Sequence, residues 1–186
     1  LGIKIAKDIN KDDANVICIV GDGALSAGLT YEGLNNAGSL NKRLIVILND
    51  NKMSIDKPVG AMSTYLTQLL SSKSYSNIRK IIKKFSKNLS DNLSHTLYKT
   101  EEYSKSIISG GTLFEELGFY YLGPIDGHNI KDLVTILENV RDNKFDKPIF
   151  LHCITKKGKG YKPAEVSDDK FHGVEKFDIK TGETYK

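Results

Sequence analysis

The chain is 186 residues long, 39% hydrophobic and 27% charged, with 27 Lys+Arg set against 23 Asp+Glu for a formal net charge of +4. That size and apolar fraction allow one buried core, so one α/β domain with an irregular insertion is the expected organisation. The slight positive excess leans toward anionic ligands and gives no indication of nucleic acid. Cys18 and Cys153 both sit inside apolar strand-like runs, VICIV and IFLHCIT, and read as free buried thiols of a reducing compartment. No apolar run approaches the roughly 20 residues that cross a bilayer, and no signal peptide opens the chain, so a soluble intracellular protein is expected.

The first segment, LGIKIAKDIN, carries apolar residues at Leu1, Ile3, Ile5, Ala6 and Ile9. It reads as the tail of an element already under way, and with the abrupt end TGETYK it suggests a piece of a longer polypeptide. Four β-rich runs follow: Val16 to Val20, Leu44 to Leu48, Phe119 to Gly123 and Pro148 to Thr155. Helical patterns lie between them. Ala27, Tyr31, Leu34 and Ala37 share one face, and Leu133, Ile136, Leu137 and Val140 share another. Strands alternating with helices predict βαβ units, hence a mostly parallel sheet with helices on both faces. Ligands of such sheets bind at the carboxyl ends of the strands.

The stretch 58–111 departs from this pattern. It is rich in Ser, Lys and Asn, has helical apolar spacing at Ile78, Ile81, Ile82 and Phe85, and shows no strand pattern. It reads as a helical or partly mobile insertion, a lid or a dimer contact. Its lysines at 80, 83, 84 and 87 read as a solvated helix face.

The chemistry concentrates where two strands end. VICIV runs into Gly21-Asp22-Gly23, and LIVIL runs into Asn49-Asp50-Asn51, about one βαβ unit further on. A carboxylate at the end of a buried strand is costly without a partner. Glycines on both sides let the backbone turn sharply, and the N–H groups of a following helix favour phosphate. Oxygen ligands from adjacent strand ends, with phosphate oxygens and water, make the hard octahedral site that magnesium prefers. Each tripeptide alone is a weak signal, and their pairing is a strong one.

That pairing resembles the thiamine-diphosphate motif, in which GDG and a later asparagine-bearing segment hold the diphosphate through magnesium. The blocks GDGALSAGLTYEGLNNAG, LNDNKMSIDKPVGAMSTYL, GTLFEELGFYYLGPIDGHN, TKKGKGYKPAE and KFHGVEKFD, spread from Gly21 to Asp178, resemble 1-deoxy-D-xylulose-5-phosphate synthase. Transketolases share the GDG and NDN logic without the later blocks. The resemblance implies a thiamine-diphosphate-binding fold. It makes residues 1–186 a partial diphosphate-binding domain, with the pyrimidine-binding and C-terminal domains absent.

It also implies roles. Asp22, the Asn51 side chain and the Met53 carbonyl would ligate Mg2+, and Gly23 and Ala24 would offer N–H groups to the diphosphate. Tyr161 in GKGY would lie near the cofactor. His172 in FHG would face the active site for proton transfer or substrate contact, a role suited to a pKa near 6.5. On the residues alone, Met53 reads as core packing, which is compatible with ligation through its carbonyl, Tyr161 as a packed aromatic beside a glycine turn, and His172 as a surface-loop histidine. His128 in PIDGHNI reads as a cap or a structural hydrogen bond, His152 as a satisfied core residue, and His95 as exposed. Lys156, Lys157 and Lys159 crowd a glycine-rich turn suited to phosphate or to solvent alike.

The implied reaction joins pyruvate to D-glyceraldehyde 3-phosphate, releasing CO2 and giving 1-deoxy-D-xylulose 5-phosphate for isoprenoid, thiamine and pyridoxal precursors. The implied enzyme is a cytoplasmic homodimer, or plastid-type if eukaryotic. Neither the family's GHS segment nor its cofactor-activating glutamate domain stands in these residues, so this chain alone is expected to be inactive. Two other readings stay open: the cofactor-binding subunit of a split transketolase, and a non-catalytic binding module.

Overall fold

The computed structural model describes residues 1–53, 60–71, 112–143 and 145–185. Four strands form one parallel sheet: β1 (Val16–Gly21), β2 (Leu44–Asp50), β3 (Tyr120–Asp126) and β4 (Ile149–Ile154), in the order β1-β2-β4-β3. Among the described residues seven helices accompany them: α1 (Gly2–Ile9), α2 (Asp22–Leu25), α3 (Gly28–Ser39), α4 (Ala61–Ser71), α5 (Leu113–Glu116), α6 (Ile130–Asp142) and α7 (Lys162–Val166). The described part of the 58–111 insertion is thus helical. Ile78, Ile81, Ile82, Phe85, His95 and the lysines at 80, 83, 84 and 87 lie outside the described residues.

Helices pack on both faces of the central strands β2 and β4, because their alternate side chains point to opposite sides. Leu44, Val46 and Leu48 of β2 join Phe150 of β4, Leu34 and Ala37 of α3, Leu66 of α4 and Phe114 of α5. Phe114 stacks on Phe150 at 3.7 Å, and Phe119 meets Phe150 edge-on at 6.0 Å. On the other face, Ile45, Ile149 and Leu151 pack under Val140, Ile136, Leu133 and Leu137 of α6. The guanidinium of Arg43 donates to the carbonyls of Val140 and Arg141 at 2.6 and 2.9 Å, capping the end of that helix.

Helix α5 is only four residues long, and its ends explain it. Thr112 accepts from Glu115 N–H while the Glu115 carboxylate accepts from Thr112 N–H, a capping box. Gly118 N–H then donates to the Glu115 carbonyl and Phe119 N–H to that of Phe114, a Schellman close made by Gly118 at φ +90°. Where this turn passes α3, Gly38 meets it backbone to backbone: a Cβ on Gly38 would stand 1.7 Å from the Leu117 carbonyl oxygen.

One expectation fails. Cys153 is buried as expected, but Cys18 is exposed, and the VICIV strand is not a buried one. The reason is position: among the described residues β1 is an edge strand, and Cys18 lies on its α3 face between Val16 and Val20, which pack against the core while Cys18 stays exposed. On the opposite face α6 covers β2, β4 and β3 without reaching β1. Ile17 and Ile19 continue the α6 face of the sheet beside Ile45 and Ile47, yet remain 52% and 71% exposed. No helix of the described residues is long and apolar enough to cross a membrane.

Candidate functional site

Parallel pairing of β1 with β2 ends at Gly21 opposite Asn49, so GDG and NDN leave the sheet side by side at its carboxyl edge. Gly21 is extended and the chain turns straight into α2 at Asp22. Asp22 Oδ1 accepts from Gly23 N–H at 2.8 Å, and Oδ2 accepts from Lys52 N–H at 2.7 Å. Lys52 reaches that position by adopting a left-handed φ of +57°. Asn51 Oδ1 accepts from Met53 N–H at 2.9 Å, which ties the two expected β2 ligands into one turn. Asp22, Gly23, Ala24, Asn51 and Met53 therefore belong to one small region.

The two neighbouring strand ends are fastened to it. Thr155 Oγ1 donates to Asn49 Oδ1 at 2.7 Å, and Thr155 N–H to the Asp50 carbonyl at 2.9 Å. Gly127 N–H donates to the Ile154 carbonyl, and His128 Nε2 accepts from Lys156 N–H at 2.8 Å. His128 is thus a structural hydrogen-bonding residue at the entrance to TKKGKGY, while Asn129 accepts from Asp132 N–H and caps α6.

The electrostatics are lopsided. Burial raises the Asp22 carboxyl above its ordinary value, its two backbone hydrogen bonds pull the other way, and the negative charge of Asp50 raises it further. Burial also pushes Asp50 up, but the hydrogen bond and charge of His152, followed by Lys52, outweigh it and hold Asp50 below the usual carboxylate value. Two carboxylates thus stand close together, one with an imidazole partner and one with only backbone N–H groups. A cation beside Asp22 would offset that excess. The donors gathered here, a carboxylate, an amide oxygen and a backbone carbonyl, are all hard oxygens, which is the chemistry magnesium takes. For the diphosphate, one proposed donor is already engaged: Gly23 N–H points at Asp22.

Tyr161 and His172 both make contacts within the segment that follows β4. Tyr161 N-caps α7, packs against Phe171 and Phe177 at 5.7 and 6.0 Å, and donates its hydroxyl hydrogen to the Ile179 carbonyl. His172 is exposed in a tight turn in which Lys170, Phe171 and Gly173 all have left-handed φ, +50°, +56° and +97°. These contacts hold both residues within the C-terminal segment. The GKG turn is held by Gly160 N–H donating to Glu165 Oε1.

Sequence reasoning gave no role to the partnership of Asp50 with His152. Asp50 is 2% exposed and His152 fully buried, and His152 Nε2 lies 3.0 Å from Asp50 Oδ2. The available signal was a histidine inside an apolar strand, which has to find a polar partner. A sequence model of the 1-deoxy-D-xylulose-5-phosphate synthase family matches residues 1–155, spanning both GDG and NDN, all four strands and the His128 turn. The chain belongs to the 1-deoxy-D-xylulose-5-phosphate synthase family.

Proposed function

We propose that this chain is the diphosphate-anchoring part of a thiamine-diphosphate- and Mg2+-dependent transferase that condenses pyruvate with D-glyceraldehyde 3-phosphate, releasing CO2. The observation that carries the reading is the junction of GDG with NDN: Gly21 stands opposite Asn49, and Lys52 N–H donates to Asp22 Oδ2 at 2.7 Å. Asp22, Asn51 and the Met53 carbonyl would hold the cation, and the N–H groups of Gly23 and Ala24 would meet the diphosphate once Asp22 turns from Gly23 to the metal. When bound, thiamine diphosphate supplies the nucleophilic carbon and the electron sink for loss of CO2. The chain's own part is to fix the cofactor's charged end so that its reactive end is held in one place. Lys156, Lys157 and Lys159, on the turn after β4, give cationic reach toward a phosphate.

His172 is the candidate for proton transfer or substrate contact, presented on a turn whose consecutive left-handed residues cost energy that a plain surface loop need not store. Tyr161 would serve the site by holding that segment through its contacts with Phe171 and Phe177. The full enzyme works as a homodimer in the cytoplasm, or in a plastid if the source is eukaryotic, and a glutamate from a further domain completes its active site.

Calorimetric titration with thiamine diphosphate tests the anchor. Binding is expected with Mg2+, to weaken at least tenfold in chelator, and to lose its Mg2+ dependence in Asp22→Ala. Binding that neither chelator nor Asp22→Ala alters would overturn the reading.

A further inference from the structure

Behind the strand ends runs a polar chain that the anchoring role leaves without a task. His152 in β4 is fully buried, with Nε2 3.0 Å from Asp50 Oδ2 of β2 and Nδ1 2.8 Å from the hydroxyl of Tyr121 in β3. Burial drives the Tyr121 phenol far above its ordinary value, so the hydroxyl keeps its proton and can donate it to Nδ1. Nε2 then carries the ring hydrogen and donates to Asp50. Three strands thus contribute one side chain each to a line that ends one residue before Asn51.

The neighbourhood leaves His152 little freedom. Gly123 of β3, at φ +144°, passes so close that a Cβ there would lie 2.7 Å from the His152 carbonyl oxygen and 2.8 Å from its Cβ. A buried polar chain of this kind is replaceable by apolar side chains at little cost in stability when its members are removed together, so packing alone does not call for it. What it does fix is the Asp50 carboxylate. Lys52 N–H, which donates to Asp22 Oδ2, also acts on Asp50. An Asp50 freed from His152 could turn toward that N–H and take it from Asp22, or compete for the cation itself.

We infer that His152, backed by Tyr121, is a positioning residue for the cation site: it holds Asp50 so that Lys52 N–H orients Asp22 and the turn through Asn51 and Met53 keeps its shape. The inference rests on the cation reading of Asp22 and Asn51. Outer partners that orient a metal's ligands characteristically change affinity for the metal by about 10–100-fold when lost.

The test uses the full-length protein and two readouts: Mg2+ half-saturation of thiamine-diphosphate binding by calorimetry, and melting temperature in chelator. His152→Phe removes both hydrogen bonds, Tyr121→Phe only the outer one, and His152→Gln keeps a donor for Asp50. The expected result is a rise of about tenfold in Mg2+ half-saturation for His152→Phe, a smaller rise for Tyr121→Phe, and recovery in His152→Gln. A purely structural role would lower the melting temperature and leave half-saturation unchanged, and that pattern overturns the inference. If His152→Phe does not fold, Tyr121→Phe decides: unchanged half-saturation refutes the inference. Asp22→Ala separates the two failures, since loss of Mg2+ dependence there with wild-type behaviour in the His152 and Tyr121 variants keeps the anchor and removes only the positioning role.

Discussion

Two glycines of one helix make opposite predictions for the same substitution. Gly33 and Gly38 both lie in α3, where intrinsic propensity favours alanine over glycine by up to about 1 kcal/mol. A Cβ on Gly33 meets nothing within 4 Å, so Gly33→Ala should stabilise by about 0.5–1 kcal/mol. A Cβ on Gly38 would stand 1.7 Å from the Leu117 oxygen and 2.9 Å from its carbonyl carbon, whereas ordinary contact begins at 3.4 Å. Helix and turn would have to part by the difference, 3.4 − 1.7 = 1.7 Å, and both surfaces are backbone. The turn is fixed by the two hydrogen bonds that close α5, with Phe119 already seated against Phe150, so neither side yields easily. Overpacking of this kind costs about 1–3 kcal/mol, and the upper end applies here. Net destabilisation of about 2 kcal/mol is expected for Gly38→Ala, leaving the two variants about 3 kcal/mol apart. Urea unfolding followed by far-ultraviolet circular dichroism, with unchanged slopes, measures the difference. A Gly38→Ala protein as stable as the parent would refute the packing of α3 on the Leu117 turn.

Other expectations follow from local features. Thr112→Ala removes the α5 capping box and should cost about 1 kcal/mol in the same assay. In native protein a maleimide should label Cys18 promptly, while Cys153, buried with its thiol pushed up to about 11, should react only on unfolding. Asp22 binds its proton more tightly folded than unfolded, so in chelator its stability contribution is full below pH 3.8 and is lost as pH rises through its raised value. The stability difference between the parent and Asp22→Ala should therefore shift in the parent's favour on acidification, and a difference flat with pH would contradict it.

Much of this architecture was legible because apolar runs punctuated by Gly, Asn and Pro report βαβ units directly. The helix over Ile130–Asp142 and the pairing of GDG with NDN followed from pattern alone. Strand ends were harder. β3 continues through Gly123 and Pro124 to Asp126 because it is the other edge of the sheet, where a missing ladder N–H is tolerated. Helix α5 escaped because four residues carry no periodicity, although T-x-x-E followed by a glycine announced both its ends. The exposure of Cys18 was hidden for another reason: residue type shows that a strand is apolar, and only its place in the sheet shows whether anything covers it. The bond between Asp50 and His152 spans 102 positions, and no local pattern connects them.

The strand order also sets a schedule for synthesis. β2 can pair with β1 as soon as both have left the ribosome, but its other neighbour, β4, comes later, as the 102-position separation of Asp50 from His152 measures. At about 5–20 residues per second that is a wait of roughly 5–20 s. Throughout it, the main-chain groups along one side of Leu44–Asp50 await β4, their partner among the described strands. For those seconds the nascent chain is an open template for any extended segment nearby, its own or a neighbour's, and yield should depend on translation speed and on chaperones that shield the emerging sheet.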